Sequence, residues 1–139
     1  MNHPLENQVM REITPLSDKD CFYIGERIKT EFTYPIHHHD EYELNFIEQA
    51  AGVRRIVGDS SEVINDFDLV LITGRDLEHV WEQHQCSSKR IHEITIHFSS
   101  QLFNESLMNK NQLESIHKMF ERAKNGLSFP MPAIMKVYS

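Results

Sequence analysis

The chain has few of the features that mark a secreted or membrane-bound protein. Its 139 residues include two cysteines, Cys21 and Cys86, which are far apart and form no C-x-x-C pair. This spacing argues against a disulfide framework and against a zinc knuckle, so we expect two free thiols. No apolar run reaches the roughly 18 residues that a membrane helix needs, and the N-terminus lacks the basic and apolar regions of a signal peptide. We therefore expect a cytoplasmic protein with no membrane partner.

Basic residues are also scarce. The chain has 14 Lys and Arg against 21 Asp and Glu, which gives a formal charge of −7. Nucleic-acid affinity depends on clustered Lys and Arg that neutralise phosphates, so we do not expect this segment to bind DNA by itself. With 40% hydrophobic and 25% charged residues, the composition predicts one soluble globular domain. Histidine is the residue in excess, at nine copies.

Short runs of strand-forming residues fill the middle of the chain, and Gly52, Gly58 and Gly74 lie between them at turns. The predicted strands are residues 21–27, 33–37, 42–47, 53–57, 68–72, 78–81 and 90–98. So many short strands predict an all-β barrel or sandwich. The last strand alternates most clearly, and we take its apolar set as the inner face, which places His92 inside the barrel. That set is His92, Ile94, Ile96 and Phe98.

Beyond residue 100 the apolar period changes to that of helices. Leu113, Ile116, Phe120 and Ala123 share one helical face within a predicted helix over residues 109–125. Asn109 is the predicted N-terminal cap of this helix, and Gly126 follows its end. A short helix over residues 101–108 precedes it, and a third begins near Pro132 and continues to the last residues. We expect the chain to be cut from a longer protein.

The histidines cluster in one stretch, His37-His38-His39, followed by Glu43. In an extended strand, residues two apart share a face, so His37 and His39 point to one side and His38 to the other. Glu43 has the same parity and can join them. Two imidazoles and a carboxylate form a ligand set suited to Zn, Ni, Fe or Mn.

A second feature lies later in the chain. His79 follows the turn at Gly74 and begins a new strand, in which Trp81 shares its face. Trp81 is either a plain core residue or a stacking face for a ligand. Arg54 and Arg55 lie on opposite faces of their strand, so one of them either points into the barrel, toward an anionic ligand or Glu43, or remains at the surface.

The pattern H-x-H-x-x-x-E, here His37, His39 and Glu43 with Gly52 after it, resembles the first motif of the cupin family. Gly74 followed by His79 resembles the second motif. The resemblance implies a mainly β fold, a jelly-roll-like double-stranded β-barrel followed by C-terminal α-helices. It also implies that His37, His39, Glu43 and His79 are a candidate metal site, which need not be occupied for the domain to work.

Within the cupins, the sequence is most similar to the N-terminal sensor domains of AraC-type bacterial transcriptional regulators. The similar stretches are residues 34–47, 66–72, 78–81 and 94–103. The resemblance implies an N-terminal arm over 1–20, a ligand-sensing barrel over 21–99 and a helical dimerisation segment over 100–139. A helix-turn-helix domain that binds DNA would follow, and this chain contains nothing similar to it.

Two functions remain open from the sequence. The first is a non-enzymatic sensor that forms a homodimer through its C-terminal helices and binds a small polar effector, such as a sugar. Its candidate ligand-binding residues are His37, His39, Glu43, His79, Trp81 and His92. The alternative is a metal-dependent cupin enzyme, an isomerase or dioxygenase, that uses the same His and Glu set.

Overall fold

The computed structural model describes residues 9–138, and within this range it contains ten strands and three α-helices. The strands are β1 (Met10–Arg11), β2 (Phe22–Lys29), β3 (His37–His38), β4 (Tyr42–Glu48), β5 (Arg54–Val57), β6 (Ser60–Val63), β7 (Asp68–Ile72), β8 (His79–Glu82), β9 (Ile91–Phe98) and β10 (Leu127–Ser128). The helices are α1 (Glu105–Met108), α2 (Glu114–Arg122) and α3 (Met131–Tyr138). None of the described helices is long and apolar enough to cross a membrane.

The strands form two five-stranded sheets. The first sheet has the order β1-β3-β8-β5-β6, and the second has the order β10-β7-β4-β9-β2. Every neighbouring pair is antiparallel except β1 with β3, which is parallel. Two antiparallel-rich sheets followed by helices confirm the mainly β prediction.

The principal core contains buried residues of both sheets. Ile47 and Val70 come from the second sheet and Val57 and Trp81 from the first. A second apolar cluster lies on the opposite face of the second sheet, where Phe120 of α2 packs near Leu71 of β7. The second sheet is therefore covered on both faces, one by the first sheet and one by the helical segment.

Three short strands were missed by the sequence pattern. β6 forms a hairpin with β5 but has no buried residue, so it carries no alternating apolar signal. β1 and β10 have two residues each and form only because they meet β3 and β7. The predicted strand over 33–37 was too long, because only its last residue belongs to β3.

The predicted arm over residues 1–20 is only partly described, because residues 1–8 lie outside the described range. Its later residues lie against β3. The backbone amide of Met10 donates to the carbonyl of Ile36 at 3.0 Å, and that of Glu12 donates to the carbonyl of His38 at 2.9 Å. These bonds place Glu12 beside the histidine-rich stretch.

The helical boundaries correct the predicted cap. Asn104, rather than Asn109, caps a helix, since its side chain accepts from the amide of Leu107 at 2.8 Å. Asn109 ends α1, and the predicted long helix is a 3₁₀ turn, then α2, then a second 3₁₀ turn. Gly126 follows this segment with φ of 83° and ψ of 131°, so its φ is positive, as a glycine cap predicts, but its ψ lies outside the left-handed helical region.

Two glycines of the motif pattern, Gly52 and Gly74, lie where a side chain would clash with the backbone of another segment. Gly52 has φ of 96°, and a Cβ there would lie 2.8 Å from the backbone of Gln85. A Cβ on Gly74 would lie only 2.3 Å from the carbonyl oxygen of Lys124. The helical segment therefore approaches the turn before β8 so closely that only glycine fits at position 74. Cys21 and Cys86 are both free thiols, as predicted.

Candidate functional site

The structure brings all four candidate metal ligands together between the two sheets. His37 and His79 are paired residues on β3 and β8, His39 follows β3, and Glu43 lies on β4 of the other sheet. One ligand atom of each residue lies within 4.8 Å of the others, and all four side chains are buried. His38 points away and is partly exposed, as its parity predicts.

Backbone carbonyls fix which nitrogen of each ring faces the cluster. The Nδ1 atoms of His37, His39 and His79 lie 2.9, 3.0 and 2.8 Å from the carbonyl oxygens of residues 35, 41 and 77. A carbonyl oxygen only accepts, so each Nδ1 carries the proton and donates it. In a neutral ring the Nε2 atom then has a free lone pair. This is how the outer hydrogen bonds of metal-bound histidines are usually arranged.

In neutral rings, the Nε2 atoms of His39 and His79 are hydrogen-bond acceptors, and they face each other and the carboxylate of Glu43, which is also an acceptor. His39 Nε2 lies 3.0 Å from Glu43 Oε1 and 3.1 Å from His79 Nε2, and His79 Nε2 lies 3.6 Å from Glu43 Oε1. Acceptor atoms at this distance repel one another unless a positive charge lies between them. Either a second proton on His39 or a metal cation supplies that charge. Burial disfavours a charge on His39, yet the adjoining Glu43 carboxylate raises the pKa of His39 above its ordinary value.

These separations also suit a metal ion. Two ligand atoms that each lie about 2.1 Å from one ion are about 3.0–3.4 Å apart at octahedral to tetrahedral angles. The Oε2 atom of Glu43 is buried and has no hydrogen-bond partner among residues 9–138. The donor set, its tautomers and the separations among His39, Glu43 and His79 therefore fit a divalent transition metal, and a ring nitrogen of His37 lies within 4.8 Å of these atoms.

His97 is a cluster residue that the sequence reasoning missed. It lies opposite Glu43 across β9 and β4, and its Nε2 donates to Glu43 Oε1 at 2.8 Å. Burial alone would raise the pKa of Glu43, but the imidazoles of His39, His79 and His97 hold that pKa well below its ordinary range. His97 therefore orients the carboxylate and keeps it ionised.

Glu12 also reaches the cluster, from the segment that follows β1. Its Oε2 lies 3.6 Å from His37 Nε2, and with His39, Glu43 and His97 it forms a second group of convergent ligand atoms. Burial, followed by the nearby His79, lowers the pKa of His37, which favours a neutral ring. No motif marks Glu12, because it reaches the cluster only through the parallel pairing of β1 with β3.

A cavity of about 490 Å³ lies beside the cluster. His37, Glu43 and His97 form part of its wall, and Trp81 lines it as well. Trp81 is also a member of the principal core and meets the ring of His79 edge-on, with 6.2 Å between ring centroids. Trp81 is therefore both a core residue and part of the cavity wall, and the stacking of a ligand on its ring stays a prediction.

Arg55 is buried, but it does not reach Glu43 or the cavity. Its guanidinium makes a close ion pair with Asp68 of β7 and a second one, 2.7 Å long, with Glu62 of β6. Arg54 lies on the outer side of β5, near Glu82. The buried guanidinium thus holds the two sheets together and is not available to a ligand.

The prediction that His92 points into the barrel was wrong. The cavity wall of β9 is formed by Glu93, Thr95 and His97, whereas His92 points to the other side. There its ring nitrogens lie 3.0 Å from Glu48 and 2.8 Å from Glu26. The apolar alternation of β9 marks the face near the helices, because the inner face of this strand is the polar wall of the cavity.

His92 gives a pH-dependent prediction. The neighbouring carboxylates of Glu26 and Glu48 raise its pKa, and Tyr138 also lies beside Glu48. A raised pKa means that the protonated ring stabilises the fold at low pH and that this contribution is lost as the pH rises through the folded-state value. We expect His92→Gln to lower the free energy of unfolding by up to about 1 kcal/mol near pH 5.5. The difference should shrink toward zero near pH 8.5 in urea titrations, and a pH-independent difference would contradict it.

No protein-family model and no curated protein matches this sequence. Two solved structures of ToxT from Vibrio cholerae are similar to it. One covers 79% of this chain and 42% of ToxT, at 15% identity and a TM-score of 0.47. The other, ToxT bound to (E)-4-(8-methylnaphthalen-1-yl)but-3-enoic acid, covers 85% of this chain and 46% of ToxT, at 14% identity and a TM-score of 0.50.

The chain has the fold of part of ToxT. It spans less than half the length of that protein. The predicted cupin-like β fold with C-terminal helices is therefore confirmed.

Proposed function

We propose that this domain is the effector-sensing part of a transcriptional regulator of the AraC type. The observation that carries the proposal is the cavity of about 490 Å³, whose wall combines buried polar groups from both sheets with the aromatic face of Trp81. Its volume falls within the range of about 300–1,000 Å³ that is usual for small-molecule sites. The fold likeness to ToxT, a regulator of the AraC family, supports the proposal.

The proposed effector is a small polar metabolite, and the proposed role is regulatory rather than catalytic. DNA would be bound by a helix-turn-helix part other than these 139 residues, in agreement with their charge of −7. A ligand regulates only if it binds two arrangements of the protein with different affinity. The test is DNA binding by the complete regulator with and without an effector found by thermal shift. DNA affinity that never changes with a bound effector would contradict the proposal.

A divalent transition metal, Zn, Ni, Fe or Mn, is the proposed occupant of the His37, His39, Glu43 and His79 cluster. Bound there, it would act as a Lewis acid toward an oxygen atom of the effector. Protein purified without a His tag is expected to hold about one such ion per chain. His39→Ala should lose the ion, measured by elemental analysis, while His38→Ala is the matched control because its ring points away. Equal metal content in both variants would contradict this site.

A metal-dependent cupin enzyme, an isomerase or dioxygenase, is the second candidate. The observation that favours it is the three-histidine and one-glutamate donor set, since such sets hold catalytic metals. The two candidates differ in the fate of the ligand. A sensor releases its effector unchanged, whereas an enzyme loaded with Fe or Mn in air converts it, and mass spectrometry of the recovered ligand separates these outcomes.

A homodimer through the C-terminal helices is the proposed assembly. The face of α2 that carries Phe120 packs against the second sheet, so this face is not available for a dimer contact. α3 instead exposes Met135, Val137 and Tyr138, the last two by more than half. We expect light scattering to report a dimer at micromolar concentration, weakened by Val137→Asp. A protein that stays monomeric into the high micromolar range would contradict this assembly.

A further inference from the structure

Glu12 is a carboxylate that lies beside the metal cluster and belongs to neither sequence motif. Its Oε2 atom lies 3.6 Å from Nε2 of His37, the ring nitrogen that faces the cluster, because Nδ1 is bound to the carbonyl of Pro35. One ligand atom of Glu12 also lies within 4.8 Å of ligand atoms of His39 and Glu43. Two atoms that each lie about 2.1 Å from one ion are at most about 4.2 Å apart. The separation of 3.6 Å therefore suits two ligands of the same metal ion.

The charge of the donor set favours a second carboxylate. Three neutral imidazoles and the carboxylate of Glu43 leave one positive charge of a divalent ion uncompensated. Burying an uncompensated charge is costly. Among residues 9–138, only Glu12 and Glu41 bring another carboxylate within 4.0 Å of a ring nitrogen of these histidines. Glu41 faces the outward Nδ1 of His39, which is bound to a carbonyl, so Glu12 is the carboxylate on the inward side.

The segment that carries Glu12 has few other attachments to the barrel. β1 pairs with β3 over only two residues. Within residues 9–20, Thr14 is the only buried residue, and Ile13 is 89% exposed. The ion pair of Arg11 with Asp40, 3.2 Å long, is exposed and contributes little. A bond from Glu12 to a metal ion would therefore be a main attachment of this segment.

We propose that Glu12 is a fifth protein ligand of the metal in the four-residue cluster, and that this bond attaches residues 9–14 to the barrel. The inference rests on the proposed metal site, because it adds a residue to that site. Met10, Glu12 and Ile13 also line the cavity, so the ion would fix one part of the cavity wall. Without the metal, this segment is expected to leave β3 more often.

Trypsin measures this attachment. It cleaves after Arg11, in β1, and after Lys19, which lies in an exposed turn before β2 and is the internal control. Protein freed of metal with a chelator is compared with the same protein supplied with Zn²⁺, and mass spectrometry follows the initial rates of both cleavages. Zn²⁺ is expected to slow cleavage after Arg11 at least about tenfold relative to cleavage after Lys19, because proteolysis follows the population of the open segment. Equal rates of cleavage after Arg11 with and without bound Zn²⁺ overturn the proposal.

Glu12→Gln keeps the size of the side chain and removes its charge. Residues that only orient a metal ligand already change metal affinity by about 10–100-fold, so this variant is expected to weaken Zn²⁺ binding at least about tenfold in competition with a metal-binding dye. It should also abolish the effect of Zn²⁺ on cleavage after Arg11. Asp40→Asn is the matched control, because it removes the exposed ion pair of Arg11 but no proposed ligand. It should retain wild-type Zn²⁺ affinity and the Zn²⁺-dependent slowing of cleavage.

The outcomes separate this inference from the metal site itself. Wild-type Zn²⁺ affinity in Glu12→Gln, or undiminished slowing of its cleavage by Zn²⁺, overturns the role of Glu12 and leaves the four-residue site in place. A wild-type protein that binds no transition metal overturns both. Unfolding temperatures of the metal-free variants establish that folded proteins are compared. The sensor function is tested separately, by the DNA affinity of the complete regulator.

Discussion

Glu43→Gln is expected to lower the affinity of the protein for a transition metal by at least about a hundredfold. Glu43 is 2% exposed, and its Oε1 lies within 3.6 Å of the inward nitrogens of His39, His79 and His97. The substitution removes the only negative charge among the four proposed ligands but keeps the size of the side chain. Competition with a metal-binding dye measures the change.

A carboxylate two residues away is the matched control. Glu41 is partly exposed, and its Oε2 accepts from Thr14 Oγ1 at 3.2 Å, so Glu41→Gln should leave metal affinity within about threefold of wild type. Wild-type metal affinity in Glu43→Gln would show that this cluster does not hold the metal. Unfolding temperatures of both variants establish that the comparison is made on folded protein.

Asp68→Ala is expected to lower the free energy of unfolding by about 3–5 kcal/mol. Asp68 and Arg55 form an ion pair between β7 and β5, that is, between the two sheets, and both side chains are at least nine-tenths buried. Removing the carboxylate leaves a buried guanidinium whose one remaining ion-pair partner among residues 9–138 is Glu62. Because burying an uncompensated charge is costly, the loss should exceed that of an ordinary surface substitution. Urea unfolding measures it.

Glu62→Ala provides the comparison for the same guanidinium. Glu62 is 60% exposed, so its pair with Arg55 should contribute less than about 1 kcal/mol. Losses of similar size in the two variants would mean that burial does not decide the strength of these ion pairs. In that case Arg55 would not be the main polar link between the sheets.

The four metal-ligand candidates were predictable because their signals are local. His37 and His39 share a strand face by parity, Glu43 has the same parity, and His79 follows a glycine turn. Parity allowed Glu43 to join His37 and His39, whereas the convergence of His79 with these three was implied only by the cupin resemblance. Glu12 and His97 carried no such local signal, because the first depends on the pairing of β1 with β3 and the second on the register of β9 with β4.

The error at His92 has the same origin. Alternation of apolar and polar residues along a strand indicates that its two faces lie in different environments. In a strand with one face in solvent, the apolar residues are the buried ones. β9 has no such solvated face over most of its length, since Phe98 packs with the helical segment while Glu93 and His97 line the cavity. In β9 the polar residues face inward, toward the cavity, and the apolar residues face the helical segment. Only the position of α2 in the tertiary structure shows that the apolar face of this strand is the outer one.

The sequence by itself determined the class of fold, the turn glycines and four of the candidate metal ligands. Strand periodicity, parity and residue chemistry are properties of short stretches of chain, so they can be read without a structure. The tertiary structure decided which acceptors face one another, which carboxylate is fully buried, and that Glu12, Glu43 and His97 share one cavity. These relations join residues far apart in sequence, and sheet register and the packing of helices against the second sheet set the distances between them.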